Sequence, residues 1–278
     1  METIGIVGVG AMGSALLERQ RLAQIEPLAY DVDPEALAQA RAAGAEPAGS
    51  AAELARSATM IDVVVRTDDE VLDCTLGANG ILAGAQTGAL ILLHSTILPG
   101  TTRRVAEAAS QQGVHVMDAC MLSVPAAVRR GELIFLVGGP EEQFARAHPH
   151  LLTMAKEARY VGPLGTANVG KLMANLIVGA QTLVLHEALR LGEAGGIPYV
   201  RALEMLRDTR GSSGSILDRW ESTFDPSGKD PTPRVGQNVM AKDIPLAREL
   251  AHALGLDLPI IDQLGLAGRR LAESQRRP

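Results

Sequence analysis

Short apolar runs punctuate the first part of the chain: Thr3 to Val7, residues 27–30, Met60 to Arg66, Leu90 to His94, His115 to Cys120, Leu133 to Gly138 and Arg159 to Gly162. Stretches of helical character lie between most of them. Strand alternating with helix predicts a parallel, doubly wound sheet, an α/β architecture of the Rossmann type. Ligands of such sheets bind beyond the carboxyl ends of the strands. Arg66, Thr67, Ser95, Thr96 and the loop after Cys120 all fall at such ends.

Past Gly162 the pattern turns wholly helical. Between Gly165 and Gly196 the apolar residues Val169, Leu172, Met173, Leu176, Ile177, Leu183, Val184, Leu185 and Leu189 cover nearly every side of a helical wheel, which predicts a helix buried in protein. Roughly 29 residues at 1.5 Å each make a rod of about 43 Å. One narrow stripe is different: Lys171, Asn175, Gly179, Thr182 and His186 recur at steps of four, four, three and four. An unpaired charge in a dry core is expensive. Lys171 is therefore either a salt-bridged core lysine or a proton-handling lysine facing a cleft. Beyond it the pattern predicts a helix from Pro198 to about Asp208 and a shorter one around Ser213 to Trp220. The breaker-rich loop FDPSGKDPTP comes next, then a helix capped by Asn238 that carries Lys242-Asp243 and ends near Gly255, and a last helix from Pro259.

The first apolar run opens directly into Gly8-Val9-Gly10-Ala11-Met12-Gly13 and a helical segment, and the second run ends at Asp31, 23 residues after Gly8. Each glycine has a task in dinucleotide binding. Gly8 allows the tight turn, Gly10 lets the backbone approach a pyrophosphate, and Gly13 lets helix pack on strand. The helix's free N–H groups meet the phosphates. Asp31 accepts from the ribose 2′-OH of NAD and repels the 2′-phosphate of NADP, and Val32 offers no charge to offset that. NAD is the expected cofactor, held by Gly8, Gly10, Ala11, Met12, Gly13, Asp31 and Val32, with Arg66, Thr67 and Thr96 at neighbouring strand ends. Thr96 either touches the nicotinamide end or caps the helix that Pro99 begins. His94 reads as a hydrogen-bonded strand-end residue.

Composition narrows the classes further. With 278 residues, 46% hydrophobic and 21% charged, the chain has material for two modest domains with a real core. A net charge of −6 and the lack of any basic run beyond pairs give no footprint for nucleic acid. The opening METIGIVG has no basic leader, and no apolar run approaches the length of a bilayer span, so a cytoplasmic protein without membrane contact is expected. Cys74 and Cys120 form neither a disulfide framework nor a metal-ligand cluster, and no metal is expected. Of 26 basic residues only Lys156, Lys171, Lys229 and Lys242 are lysines. Arginine keeps its proton in proteins whereas a buried lysine can lose it, which singles out Lys171 as a chemical candidate.

These pieces resemble the β-hydroxyacid dehydrogenase family, of the 3-hydroxyisobutyrate dehydrogenase type, over essentially the whole chain. Gly8 to Gly13 with Met12 is similar to the family's G-x-G-x-M-G, and Ser95-Thr96 followed by Pro99 to its S-T-x-x-P. GPLGTANVGKLMAN from Gly162 to Asn175 resembles its lysine motif, with Ala167 in place of a glycine. The resemblance implies a catalytic Lys171, a substrate-orienting Asn175, and a Lys242 that approaches cofactor or substrate from the helical domain. It also implies residues 1–163 as a dinucleotide-binding domain, 164–278 as an all-helical domain for substrate and oligomerisation, and a homodimer or homotetramer.

One segment departs from the family pattern. The family's substrate loop is D-A-P-V-S-G-G, and Asp118 to Val124 reads DACMLSV. Leu122 stands where a serine holds the substrate carboxylate, and Ser123 and Val124 replace glycines. A substrate with an apolar or aromatic arm, resting on Trp220, fits such a loop as well as a small hydroxy acid does. Arg129 and Arg130 are either solvated or an anion clamp. The expected reaction is hydride transfer between NAD and a 3-hydroxy acid. Neutral Lys171 takes the hydroxyl proton in oxidation and its ammonium returns it in reduction, which requires a lysine pKa lowered from about 10.4 towards ~7–8. Asn175 fixes the oxygen. The rivals are an imine reductase on the same scaffold, whose members usually lack the lysine, and a non-catalytic NAD-binding module.

Overall fold

Strands buried on both faces read as near-continuous apolar runs rather than alternating, and IGIV, MIDV and LILL are buried throughout, with Asp62 the one charged residue among them. The computed structural model describes residues 2–207 and 239–274. It comprises two compact units, Met1–Lys171 and Leu172–Pro278.

In the first unit the strands are β1 (Ile4–Val7), β2 (Leu28–Tyr30), β3 (Glu46–Pro47), β4 (Met60–Val63), β5 (Leu90–Leu93), β6 (His115–Met121), β7 (Ile134–Gly138) and β8 (Glu157–Gly162). They form one sheet in the order β3-β2-β1-β4-β5-β6-β7-β8. The helices that cover it are α1 (Ala11–Leu22), α2 (Pro34–Ala42), α3 (Ala51–Ser57), α4 (Asp68–Leu76), α5 (Pro99–Ser110), α6 (Pro125–Arg129) and α7 (Glu141–Met154). Ile4, Ile6, Leu90, Leu92 and Phe135 pack on one face, and Val7, Ile61, Val63, Ile91 and Leu93 on the other.

Two expectations need correction. The sheet is not wholly parallel: β7 runs antiparallel to β6. A parallel return needs an element long enough to carry the chain back along the sheet, and the five-residue α6 is too short for that. The chain therefore re-enters from the end it left. The pattern also misses β3, which is two exposed residues at the sheet edge, one of them proline.

A polar knot lies inside the first core. Asp62, fully buried on β4, accepts from Gln20 Nε2, His150 Nε2 and His94 Nε2, each at 2.8 Å. His94 Nδ1 lies 2.7 Å from the carbonyl of Ala119, which can only accept. Burial pushes the Asp62 carboxyl up, but the charges and hydrogen bonds of the two histidines outweigh it and hold the group well below the usual carboxylate range.

The second unit continues α8 (Thr166–Ala194), a single helix that began in the first, and adds α9 (Tyr199–Arg207), a π-helical turn Val239–Asp243, α10 (Ile244–Ala253) and α11 (Pro259–Ser274). Leu185 and Leu189 pack with Ala202 and Leu203. At Gly179 the helix is closely approached, since a Cβ there would lie 2.8 Å from the terminal methyl Cδ1 of Ile244. The helix expected around Ser213 to Trp220, the FDPSGKDPTP loop and the Asn238 cap lie outside the described residues.

α8 bears on two expectations. Leu172, Leu183, Leu185 and Leu189 are buried, yet Met173, Ile177, Val184 and Leu191 are 58–76% exposed in the single chain. It is also long and apolar enough to cross a membrane by length and composition. Scattered polar residues break its apolar run without lowering its mean hydropathy enough to prevent that. The core helix of a globular protein passes the same test, and α8 carries buried Asn168, Asn175 and Thr182.

Replacing Asp62 by Ala strands the two histidine N–H groups and the Gln20 amide. Removing one partner of a buried charged network costs about 3–5 kcal/mol. Urea unfolding at neutral pH should show a loss in that range, and a loss below ~1 kcal/mol would mean the knot does not stabilise the fold.

Candidate active site

The strand order reverses between β1 and β4, and an open α/β sheet binds ligands in the crevice beyond the carboxyl ends at such a point. The turn after β1 is built for close approach. Gly8 has φ +91°, its N–H donates to the Tyr30 carbonyl at 2.9 Å, and a Cβ would press on the Val64 carbonyl. A Cβ on Gly13 would collide with the Gly8 carbonyl oxygen. Around Gly10 the space is open, with nothing within 4 Å of where a Cβ would stand. α1 begins there with no side-chain cap and no acid in its first turn, so its leading N–H groups face the crevice unanswered by side chains. Ala11 and Met12 form that first turn, Ala11 exposed and Met12 half-buried against the core.

At the end of β2, Asp31 Oδ2 accepts the Val9 N–H at 2.7 Å and Oδ1 the Asp33 N–H at 2.9 Å. The carboxylate thus clamps the glycine turn to the neighbouring strand. Val32 beside it is 82% exposed, and Asp33 caps α2 through the Glu35 N–H. The turn from Asp31 to Glu35 carries acids and no cation. The open space at Gly10, the free helix terminus and the carboxylate together fit a dinucleotide.

Further along the crevice the side chains are held locally. Arg66 pairs with Glu70 at 3.1 Å, and the Thr67 hydroxyl accepts the Glu70 N–H as the cap of α4. Ser95 donates to the Val65 carbonyl at 2.7 Å. Thr96 is half-buried, and the N-cap position of α5 is Leu98. The capping role weighed for Thr96 is thereby removed. His94 is wholly engaged by Asp62 and Ala119, as a strand-end residue.

Beyond β6 the Leu122 N–H donates to the Ile134 carbonyl at 2.9 Å, and the Ser123 hydroxyl makes only a long 3.4 Å bond to the Val124 carbonyl. Val124 is 43% exposed and opens α6. Arg129 Nε lies 3.0 Å from both carboxylate oxygens of Glu18, and its Nη2 is 3.3 Å from Ser14 Oγ, which ties α6 to α1. Arg130 pairs with Glu132. Both arginines are matched by carboxylates, so the anion-clamp reading loses its free cations.

Lys171 is half-buried on α8, six residues into a helix whose start is fixed from β6. Buried Asp118 accepts the Gly165 N–H at 2.8 Å and the Asn168 N–H at 3.0 Å. Burial raises the Asp118 carboxyl above its usual value, and the backbone N–H groups offset that only in part.

In the second unit, buried Asn175 donates through Nδ2 to Asp243 Oδ2 at 2.7 Å. Lys242 Nζ lies 2.8 Å from the other oxygen of Asp243. Asn175 and Lys242, both expected at the site, therefore share one buried carboxylate. Sequence reading assigned Asp243 no role; its adjacency to Lys242 was the available signal. Burial lowers the His186 imidazole, with the nearby Arg190 acting the same way. Trp220 lies outside the described residues. Among the described residues no group of three or more His, Cys, Asp or Glu is placed to hold a metal ion.

Residues 3–162 match the family model described as the NAD binding domain of 6-phosphogluconate dehydrogenase. Residues 165–275 match the model described as NAD-binding of NADP-dependent 3-hydroxyisobutyrate dehydrogenase. The chain is 31% identical over 252 residues to the mitochondrial 3-hydroxyisobutyrate dehydrogenase of Bos taurus, covering 89% of this chain and 75% of that one. It is 28% identical over 264 residues to the NAD-dependent L-serine dehydrogenase of Pseudomonas aeruginosa, covering 94% and 89%. The solved 3-hydroxyisobutyrate dehydrogenase of Mycobacterium tuberculosis with L-serine shares the fold, with a TM-score of 0.81 at 24% identity over 98% of this chain and 94% of that one.

Gly10 has φ −64°, which any residue adopts, so a larger side chain there tests the crevice without straining the turn. Gly10→Val should raise the Kd for NAD at least ~10-fold, about 1.4 kcal/mol, in a fluorescence titration while leaving Tm unchanged. Unchanged affinity would place the dinucleotide elsewhere.

Proposed function

The chain belongs to the β-hydroxyacid dehydrogenase family, NAD(P)-linked oxidoreductases acting on CH–OH, and from that premise we propose that it transfers a hydride between NAD and a 3-hydroxy acid with Lys171 as the general acid–base group. The observation that carries this reading is Lys171 on α8, one turn before an Asn175 whose amide is fixed by buried Asp243. Residues 1–163 hold the dinucleotide; residues 164–278 contribute substrate contacts and subunit contacts.

The nicotinamide, when bound, supplies the hydride acceptor. The residues of the chain handle everything else. Neutral Lys171 removes the proton from the substrate hydroxyl as hydride leaves the same carbon, and in the reverse direction its ammonium returns that proton to the forming alkoxide. Because Asp243 accepts from Asn175 Nδ2, the amide is held in one orientation; in the proposed reaction it fixes the substrate oxygen, and a polar group held in advance costs no reorganisation. Lys242, anchored on the same carboxylate, adds positive charge for an anionic part of cofactor or substrate.

Asp31 and the absence of any cation in the turn that follows it support NAD over NADP. At the substrate loop, Leu122 and Val124 give an apolar wall where a carboxylate-binding serine and glycine would stand, and the Ser123 hydroxyl supplies a side-chain donor. That wall favours a hydroxy acid with an apolar or aromatic arm. The exposed stripe of Met173, Ile177, Val184 and Leu191 supports a homodimer or homotetramer in which a second copy covers part of α8.

Lys171→Met should lower kcat by ~10²–10⁴, the range for an acid–base group, with NAD affinity retained. A panel of 3-hydroxy acids graded in size and polarity, assayed with NAD, supplies the substrate for that measurement. Near-normal turnover by the variant refutes the role of the lysine. In the same assay kcat/KM with NAD should exceed that with NADP by at least ~10-fold, since the Asp31 carboxylate would meet the 2′-phosphate; an equal or higher value with NADP would reverse the cofactor assignment.

A further inference from the structure

Asn168 lies one helical turn before Lys171 and is 0% exposed. Its side chain is held by three different elements. Nδ2 reaches the Ser95 carbonyl at 3.4 Å, at the end of β5, and Cys120 Sγ at 3.3 Å, at the end of β6. Oδ1 accepts from the buried Thr102 hydroxyl of α5 at 2.8 Å. Its backbone N–H is held by Asp118. The same residue is thus pinned to the strand end that carries Thr96, to the strand end that leads into Leu122, and to the helix that follows the Ser95-Thr96 turn. A caps-only contact would fix where α8 starts; these three side-chain bonds also fix its rotation about its own axis.

We propose that Asn168 is a positioning residue for the reaction: its amide sets the rotation of α8 in the first unit and thereby where the Lys171 amine stands relative to the ends of β5 and β6. The inference rests on the reading of Lys171 as the acid–base group. Helical geometry turns each residue by about 100°, so a small twist of α8 sweeps a long lysine side chain by ångströms, and a misplacement of about 1 Å costs on the order of 10²-fold in rate. No atom of Asn168 needs to touch substrate or cofactor for this. Leucine or alanine at this position would leave the Thr102 hydroxyl, the Ser95 carbonyl and the thiol facing a void or an apolar group, and α8 would lose its three lateral ties while keeping the Asp118 cap.

The test compares four purified full-length proteins: wild type, Asn168→Ala, Thr102→Val and Lys171→Met, with the double variant Asn168→Ala/Lys171→Met. Asn168→Ala is expected to lower kcat by ~10–100-fold with the Kd for NAD within about threefold, because the Gly8 to Gly13 turn is untouched. Thr102→Val removes one tie in a near-isosteric way and should lower kcat by several-fold. The double variant should turn over no more slowly than Lys171→Met alone, since a residue that acts through the lysine has nothing left to position. Additive losses in the double variant, or a loss of NAD affinity that parallels kcat, would make Asn168 a general structural residue and overturn the proposal. If Asn168→Ala does not fold, Thr102→Val decides by the same two readouts, and normal kcat there overturns it. If Lys171→Met itself keeps its activity, the acid–base reading falls first; if Lys171→Met is inactive while Asn168→Ala and Thr102→Val turn over normally, the positioning proposal alone falls.

Discussion

A buried carboxylate holding the first turn of a helix is the contact on which the rest of the first unit's site depends. Asp118 lies three residues before the end of β6, and it accepts the N–H groups of Gly165 and Asn168 at the start of α8. Orphan N–H groups and the positive end of the helix dipole both favour a carboxylate there. Space for it is made by Gly138, where a Cβ would lie 2.7 Å from Asp118 Oδ1, and by Gly165, whose φ of +94° turns the chain into the helix. Burial nevertheless raises the Asp118 carboxyl, so the cap is a compromise between desolvation and hydrogen bonding rather than a free gain. What it secures is placement: the strand end that leads into the substrate loop and the helix that carries Lys171 cannot move independently.

Much of this was legible in the chain. The glycines after β1 each do what their spacing implied, because a glycine motif encodes local backbone geometry and little else: positive φ at Gly8, open space at Gly10, contact at Gly13. The place of Asp31 at the end of β2 was readable as well, although its clamp on Val9 was not. The failures have a common cause, which is that they depend on partners distant in sequence. Antiparallel β7 follows from the shortness of α6, and α6 is an unremarkable PAAVR in the sequence. Asp118, Asn168 and Asp243 are ordinary polar residues until the fold puts backbone or amide groups 2.7–3.4 Å away. The apolar wheel of α8 gave its helicity correctly but not its burial, because periodicity cannot say which faces a single chain covers.

The substrate loop shows how one departure spreads. With Leu122 and Val124 where the family pattern has a serine and a glycine, the loop keeps the Ser123 hydroxyl but carries two apolar side chains beside it. Its nearby cations are already committed, Arg129 to Glu18 and Arg130 to Glu132. The Arg129 pair does something else: it fastens α6 to α1, the helix whose N-terminus faces the dinucleotide crevice. The loop is thus tied to α1 by charge and carries apolar side chains, and under the proposed function that combination moves recognition of the substrate from electrostatics to shape.

The two sulfhydryl groups carry a consequence of their own. Burial, together with the Asp73 carboxylate nearby, pushes the Cys74 thiol up to about 12, so it stays protonated wherever the protein is folded. Cys120 is fully buried with its sulfur between Ser95 and Asn168. Peroxide and alkylating agents attack thiolates that they can reach, and neither position offers one. The cysteines therefore give oxidants no thiolate to attack, and among the described residues the accessible sulfur is that of methionines such as Met173 and Met205.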